Sequence, residues 1–168
     1  NMINKINKLA KIEFIKVFAN IFENSKWIAE ELHEQRPFES FEDLSSKMIL
    51  IFKDSTKEKK LEILNKHPSL ADKTKIGSLT KDSLNEQTTA GLDQCSKEEF
   101  EEFKNLNIEY KKFGFPFILA VKGKSKNQIL ENFKKRINSN QQKEFDEAVK
   151  QVIQIASLRL EELRKKNF

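Results

Sequence analysis

The chain is poor in the residues that interrupt or crosslink a fold. It holds 4 Gly, 3 Pro and 1 Cys among 168 residues. A single cysteine excludes an intramolecular disulfide and fits a reducing compartment. Scarce glycine and proline leave few breaks, so helices are expected. Histidine is limited to 2 residues, and no metal-ligand spacing occurs. The longest apolar run, Phe115 to Val121, is too short to cross a bilayer. No secretory pattern opens the chain. Asn1, ahead of Met2, reads as an addition to the natural start. The final Lys165-Lys166-Asn167-Phe168 is not a peroxisomal address, and a cytoplasmic location is expected.

What the chain has is phenylalanine and charge. Its 14 Phe supply apolar bulk to a sequence that is 38% apolar and 34% charged. That length fits one domain with a real core. The net charge is +5, from 31 basic and 26 acidic residues. Lysines are mostly interleaved with glutamates, which describes a solvated surface better than a nucleic-acid face. An anionic small substrate fits the excess equally well.

Phe14, Val17, Phe18, Ile21 and Phe22 recur at helical spacing and predict a helix from about Lys11 to Glu23. Asn24 and Ser25 cap the next, Trp27 to Gln35, which Pro37 stops. Ser40 opens a third, with Leu44, Met48, Ile51 and Phe52 on one face. Ser55 and Glu58 are spaced as a capping box for a fourth, ending at His67-Pro68. Residues 68 to 79 read as irregular. Ser96 with Glu99 and Ser125 with Gln128 predict two further boxed helices, the first ending at Gly114. A last helix runs from near Asn140 to about Lys165. The expected fold is all-α: an irregular multihelical single domain, residues 1–168, with a long C-terminal helix. Phe117 to Val121 is the one extended candidate.

Position 159 breaks the last helix's stripe, which asks for an apolar residue and receives arginine. A charge on such a face snorkels outward, pairs with an internal carboxylate, or awaits an anionic ligand. His67 also has two readings. It is a cation at a helix C-terminus, or a general acid/base presented by the rigid Pro68 turn. Ser83-Leu84-Asn85-Glu86-Gln87 is either a capping box or a binder of a planar urea or amide, since carboxylate accepts N–H while carboxamide donates and accepts. Phe113 to Lys122 is a buried connector or a source of backbone groups for an amide-rich ligand. Cys95 reads as a spare thiol before a helix, with a Cys–His nucleophile the weaker reading. His33 is expected at the surface and Trp27 in the core.

These segments resemble the OHCU decarboxylase family, whose substrate is 2-oxo-4-hydroxy-4-carboxy-5-ureidoimidazoline. The resemblance is carried by Phe22-Glu23-Asn24-Ser25-Lys26-Trp27-Ile28-Ala29-Glu30, Arg36-Pro37-Phe38, His67-Pro68-Ser69-Leu70-Ala71, Glu86-Gln87-Thr88-Thr89-Ala90-Gly91-Leu92, Phe113-Gly114-Phe115-Pro116-Phe117 and Leu158-Arg159-Leu160. Such pieces, in order over nearly the whole chain, are specific together.

The resemblance implies an all-helical homodimer that converts the ureidoimidazoline to (S)-allantoin and CO2 in uric acid breakdown, without cofactor or metal. It implies His67 as catalytic acid/base, with Glu86 and Arg159 completing the catalytic set. Pro68, Ser83, Glu86, Gln87, the backbone of Phe117, Ile118, Leu119, Ala120 and Val121, and Arg159 would bind substrate. Neither nucleic acid nor membrane is an expected partner. The rival class is a non-catalytic helical interaction protein, which a salt-sensitive polyanion titration would reveal.

Overall fold

Nearly all of the apolar spacing in this chain is spent on helices. The computed structural model describes residues 1–74 and 91–166, and among these no β-strand occurs. The α-helices are α1 (Met2–Lys8), α2 (Lys11–Phe18), α3 (Lys26–His33), α4 (Phe41–Lys53), α5 (Lys57–Lys66), α6 (Lys97–Tyr110), α7 (Lys126–Arg136) and α8 (Gln141–Lys165). Short 3-10 turns occupy Leu70–Lys73 and Lys111–Phe113. The fold is all-α. Among the described residues no helix is long and apolar enough to cross a membrane.

The chain divides into two compact units: Asn1–Lys66 with Val152–Phe168, and His67–Gln151. In the first, α2 packs on α3 and α3 on α4. Phe14 meets Phe18 at 4.7 Å and Phe38 at 6.3 Å between ring centroids, and Phe22 meets Phe52 at 5.0 Å. Arg36 ties α1 to this core. Its Nη1 donates to the carbonyls of Ile6, Asn7 and Leu9 at the C-terminal end of α1, where the Ile6 carbonyl also accepts the Leu9 N–H. The guanidinium also lies 5.3 Å from the Phe14 ring centroid.

The second unit is built around Tyr110, which is fully buried. Phe113, Phe115, Phe117 and Phe133 meet its ring edge-on. Both boxes expected here form. Glu99 N–H donates to Ser96 Oγ and Ser96 N–H to Glu99 Oε1, while Gln128 and Ser125 exchange the same pair. Gly114 ends this stretch with φ 86°, a left-handed conformation that costs glycine little.

Two boundaries and one whole helix differ from the sequence expectation. The helix predicted to Glu23 ends at Phe18, and Ile21 and Phe22 are buried from the turn that follows. Asn24 takes φ 44° there, reversing the chain into α3. The cap of α5 is Thr56, whose Oγ1 accepts from Lys59 N–H at 3.2 Å. Ser55 is unavailable for that role because its hydroxyl donates to the Phe52 carbonyl at the end of α4. Finally, α1 was not anticipated. Its seven residues are held by the Asn1 side-chain cap and by Arg36, which is distant in sequence.

Candidate active site

His67 follows the last residue of α5 and is 8% exposed. That burial sets the ring away from bulk solvent, at the turn that Pro68 makes rigid. Pro68 is exposed and fixes the turn, Ser69 is half-buried, and Leu70 is buried at the start of the 3-10 turn. Ser83, Glu86 and Gln87 lie outside the described residues.

The Phe117–Val121 segment has no regular secondary structure, yet Phe117, Ile118, Leu119 and Ala120 are all buried. Buried backbone needs partners, and side chains supply some of them. The Ile118 carbonyl accepts from Arg136 Nη1 at 2.6 Å, and Ala120 N–H donates to Gln151 Oε1 at 2.9 Å. The Leu119 N–H and C=O, between these two, take no hydrogen-bond partner among the described residues.

Arg136 belongs to a buried cluster. Its Nε donates to Glu144 Oε1 at 2.9 Å and its Nη2 to Tyr110 Oη at 3.3 Å, while Tyr110 Oη–H donates to the same Glu144 oxygen at 2.5 Å. Arg136 and Glu144 side chains are 8% and 3% exposed. The guanidinium carbon lies 4.4 Å from the Phe117 ring centroid, and that ring stacks on Phe133 at 3.9 Å. Burial, and next the bond to Glu144, push the Tyr110 phenol above its ordinary range.

Arg159, in the other unit, is partly exposed. Nη1 donates to the carbonyls of Asn20 and Ile21, and Nη2 to Glu23 Oε2 at 2.8 Å. Of the readings open in the sequence, the internal pair is therefore present. Its Nε–H takes no partner among the described residues, so donor capacity remains beyond the pair.

Two side chains, His33 and Trp27, depart from expectation, and Cys95 keeps its reading as a spare thiol. His33 is half-buried rather than fully at the surface: its side chain is 15% exposed, its ring meets Phe14 edge-on, Arg36 Nη2 donates to its Nε2, and its Nδ1 faces the exposed Glu34 carboxylate at 3.3 Å. Trp27 is half-buried and not part of the core. It lines a cavity of about 370 Å³ with Glu31, Leu50 and Asp54, and the Lys59 ammonium sits 4.6 Å from its ring centroid. Cys95 is 2% exposed and its thiol donates to the Leu92 carbonyl, which is poor placement for a nucleophile.

The sequence profile of the OHCU decarboxylases matches residues 7–161, nearly all of the chain. The chain belongs to the OHCU decarboxylase family. It is 38% identical to the 2-oxo-4-hydroxy-4-carboxy-5-ureidoimidazoline decarboxylase of Halalkalicoccus jeotgali, over 96% of this chain and 90% of that protein. It is also 38% identical to the uric acid degradation bifunctional protein of Bacillus sp. strain TB-90, where the match covers 96% of this chain but only 32% of that protein. A crystal structure of (S)-allantoin synthase superposes with TM-score 0.78 at 30% identity, over 97% of this chain and 54% of the other.

Within the family frame, sequence reasoning missed Arg136, Glu144, Tyr110 and Gln151. The signal was present for two of them. Arg136 stands three residues after Phe133 on the buried face of α7, and Glu144 four before Ala148 on that of α8. Opposite charges on two neighbouring apolar stripes are the pattern of a buried pair. Gln151 carried no such mark.

Proposed function

We propose that this chain is a carboxy-lyase that decarboxylates 2-oxo-4-hydroxy-4-carboxy-5-ureidoimidazoline to (S)-allantoin and CO2 in uric acid breakdown. The observation that carries this reading is the continuous family match over residues 7–161, which includes His67 and Pro68. The buried His67 and the unpartnered Leu119 backbone support it.

The substrate supplies its own electron sink. The carbon that bears the carboxylate also bears a hydroxyl and adjoins a C=N bond. As CO2 leaves, the C–C bonding pair forms a C=C bond to the ureido-bearing carbon, the C=N π pair moves onto the ring nitrogen, which takes up a proton, and an enol results. Loss of the hydroxyl proton and addition of a proton to the ureido-bearing carbon then give allantoin. No electron is gained or lost overall.

The protein's task is orientation and proton movement. The scissile bond must stand perpendicular to the conjugated ring. Glu86, Gln87 and the Phe117–Val121 backbone are the groups we assign to hold the ring and ureido N–H and C=O groups. Ser83 and Pro68 complete the binding set. Apolar walls near Phe117 favour neutral CO2 over carboxylate. His67 takes the hydroxyl proton or delivers one to a single face of the ureido-bearing carbon, which sets the S configuration. Arg159 is assigned to the oxygen on which charge develops, because a guanidinium that holds ground and transition states equally accelerates nothing. The homodimeric state implied by the resemblance and the cytoplasmic location expected from the sequence complete the reading, and sedimentation at working concentration tests the former.

The test is chiral monitoring of allantoin formed from freshly generated substrate. The S enantiomer should accumulate faster than in buffer. In His67→Asn the rate should fall about 10²- to 10⁴-fold with the melting temperature kept. Undiminished turnover in that variant would remove His67 from the mechanism.

A further inference from the structure

The unpartnered N–H and C=O of Leu119 lie on two different peptide units, and each unit is held at its other end. The Ile118 carbonyl and the Leu119 N–H share one planar amide, in which they point in opposite directions. Arg136 Nη1 grips that carbonyl at 2.6 Å, so the Leu119 N–H is turned away from Arg136. The Leu119 carbonyl and the Ala120 N–H share the next amide. Gln151 Oε1 holds that N–H at 2.9 Å, so the Leu119 carbonyl is turned away from Gln151. One residue thus carries an unused donor and acceptor whose directions are set from behind.

We propose that Arg136 and Gln151 are positioning residues that clamp the two peptide units flanking Leu119, so that Leu119 presents a fixed donor–acceptor pair to an amide or ureido edge of the substrate. The inference rests on the reading of Phe117–Val121 as substrate-binding and adds the two side chains that aim it. Arg136 suits the role because it is itself immobilised. Glu144 and Tyr110 engage its Nε and Nη2, leaving Nη1 for the carbonyl. Its charge also polarises the amide it grips, which strengthens the Leu119 N–H as a donor. A segment without regular secondary structure, and with no strand beside it among the described residues, has no ladder to fix its peptide planes, so side chains do so.

A donor–acceptor pair that holds the unreacting edge of a substrate binds ground and transition states alike. Its loss raises KM and spares kcat, whereas a merely structural defect lowers the active fraction and leaves KM alone. Gln151→Met removes the acceptor from a half-buried position without creating a buried charge. It should raise KM about tenfold with kcat within about twofold. Gln151→Glu keeps an acceptor oxygen at the same reach and should return KM to within about twofold of the parent. Arg136→Lys keeps a cation against Glu144 but loses the fork that serves the carbonyl as well, and should raise KM by a similar factor. An active parent whose Gln151→Met variant keeps the parental KM overturns the assignment alone. So does a Gln151→Glu variant as impaired as Gln151→Met. A parent with no turnover of the ureidoimidazoline overturns the proposed function together with this inference.

Discussion

The two units each contain an arginine–glutamate pair, and the pairs differ in kind. Arg136 and Glu144 side chains are 8% and 3% exposed, and every contact is internal. Arg159 and Glu23 are 37% and 24% exposed, with donor capacity on Arg159 left over. A sealed pair satisfies its charges against each other, against Tyr110 and against the Ile118 carbonyl, so it serves as scaffold. A half-open pair is already hydrated in part and can be re-partnered by an anion at small cost. The arginine that looked anomalous in the sequence is the open one, and the arginine that looked ordinary is the sealed one.

The largest effect that would test this contrast is expected from Arg136→Met, which strands a buried carboxylate. It should destabilise the fold by about 3–5 kcal/mol, and thermal unfolding should show a fall of roughly ten degrees in Tm. A change under about 1 kcal/mol would put the Arg136 pair in the same class as the exposed one.

Next in size is Tyr110→Phe, which removes the short bond donated to Glu144 and the longer one accepted from Arg136 Nη2, together worth about 2 kcal/mol. Its pH dependence has a definite sign. The folded phenol stays protonated above its ordinary 10, while the unfolded one ionises there. The stabilisation is therefore complete below pH 10 and is lost as pH rises toward the raised folded value. Tyr110 is the one tyrosine of the chain, so the ultraviolet absorbance of phenolate reports it alone. Denaturant melts of the Phe variant should decline less steeply on the alkaline side; equal slopes would separate Tyr110 from the cluster.

Arg159→Met should cost under about 1 kcal/mol of stability, yet weaken binding of (S)-allantoin by about tenfold or more in calorimetry. Collapse of the fold would mean that the Glu23 pair is scaffold after all. The smallest effect belongs to Glu99, whose carboxyl is held below its ordinary 4.5 by the Ser96 N–H and then by Lys126. Its contribution is present above pH 4.5 and fades as pH falls through the lowered value. Glu99→Gln should flatten the acid limb by less than about 1 kcal/mol, and an unchanged limb would show the box to be inert to charge.

Periodicity and caps alone determined the all-α class, the long last helix, the boxes at Ser96 and Ser125 and the stop at Gly114, because each depends on residues within one or two turns of one another. The family motifs likewise marked His67, the Phe117–Val121 segment and Arg159 from local wording. Only the tertiary structure decided that Arg159 meets Glu23, that His33 lies against Phe14, and that Arg136 and Gln151 grip the backbone on either side of Leu119. Those partners are separated by 136, 18 and 31 positions in the pairs Arg159–Glu23, Arg136–Ile118 and Gln151–Ala120. A linear pattern records which face a charge occupies. Which opposite charge or carbonyl lies within hydrogen-bond reach is set by packing, since a hydrogen bond is lost over a displacement of about one ångström.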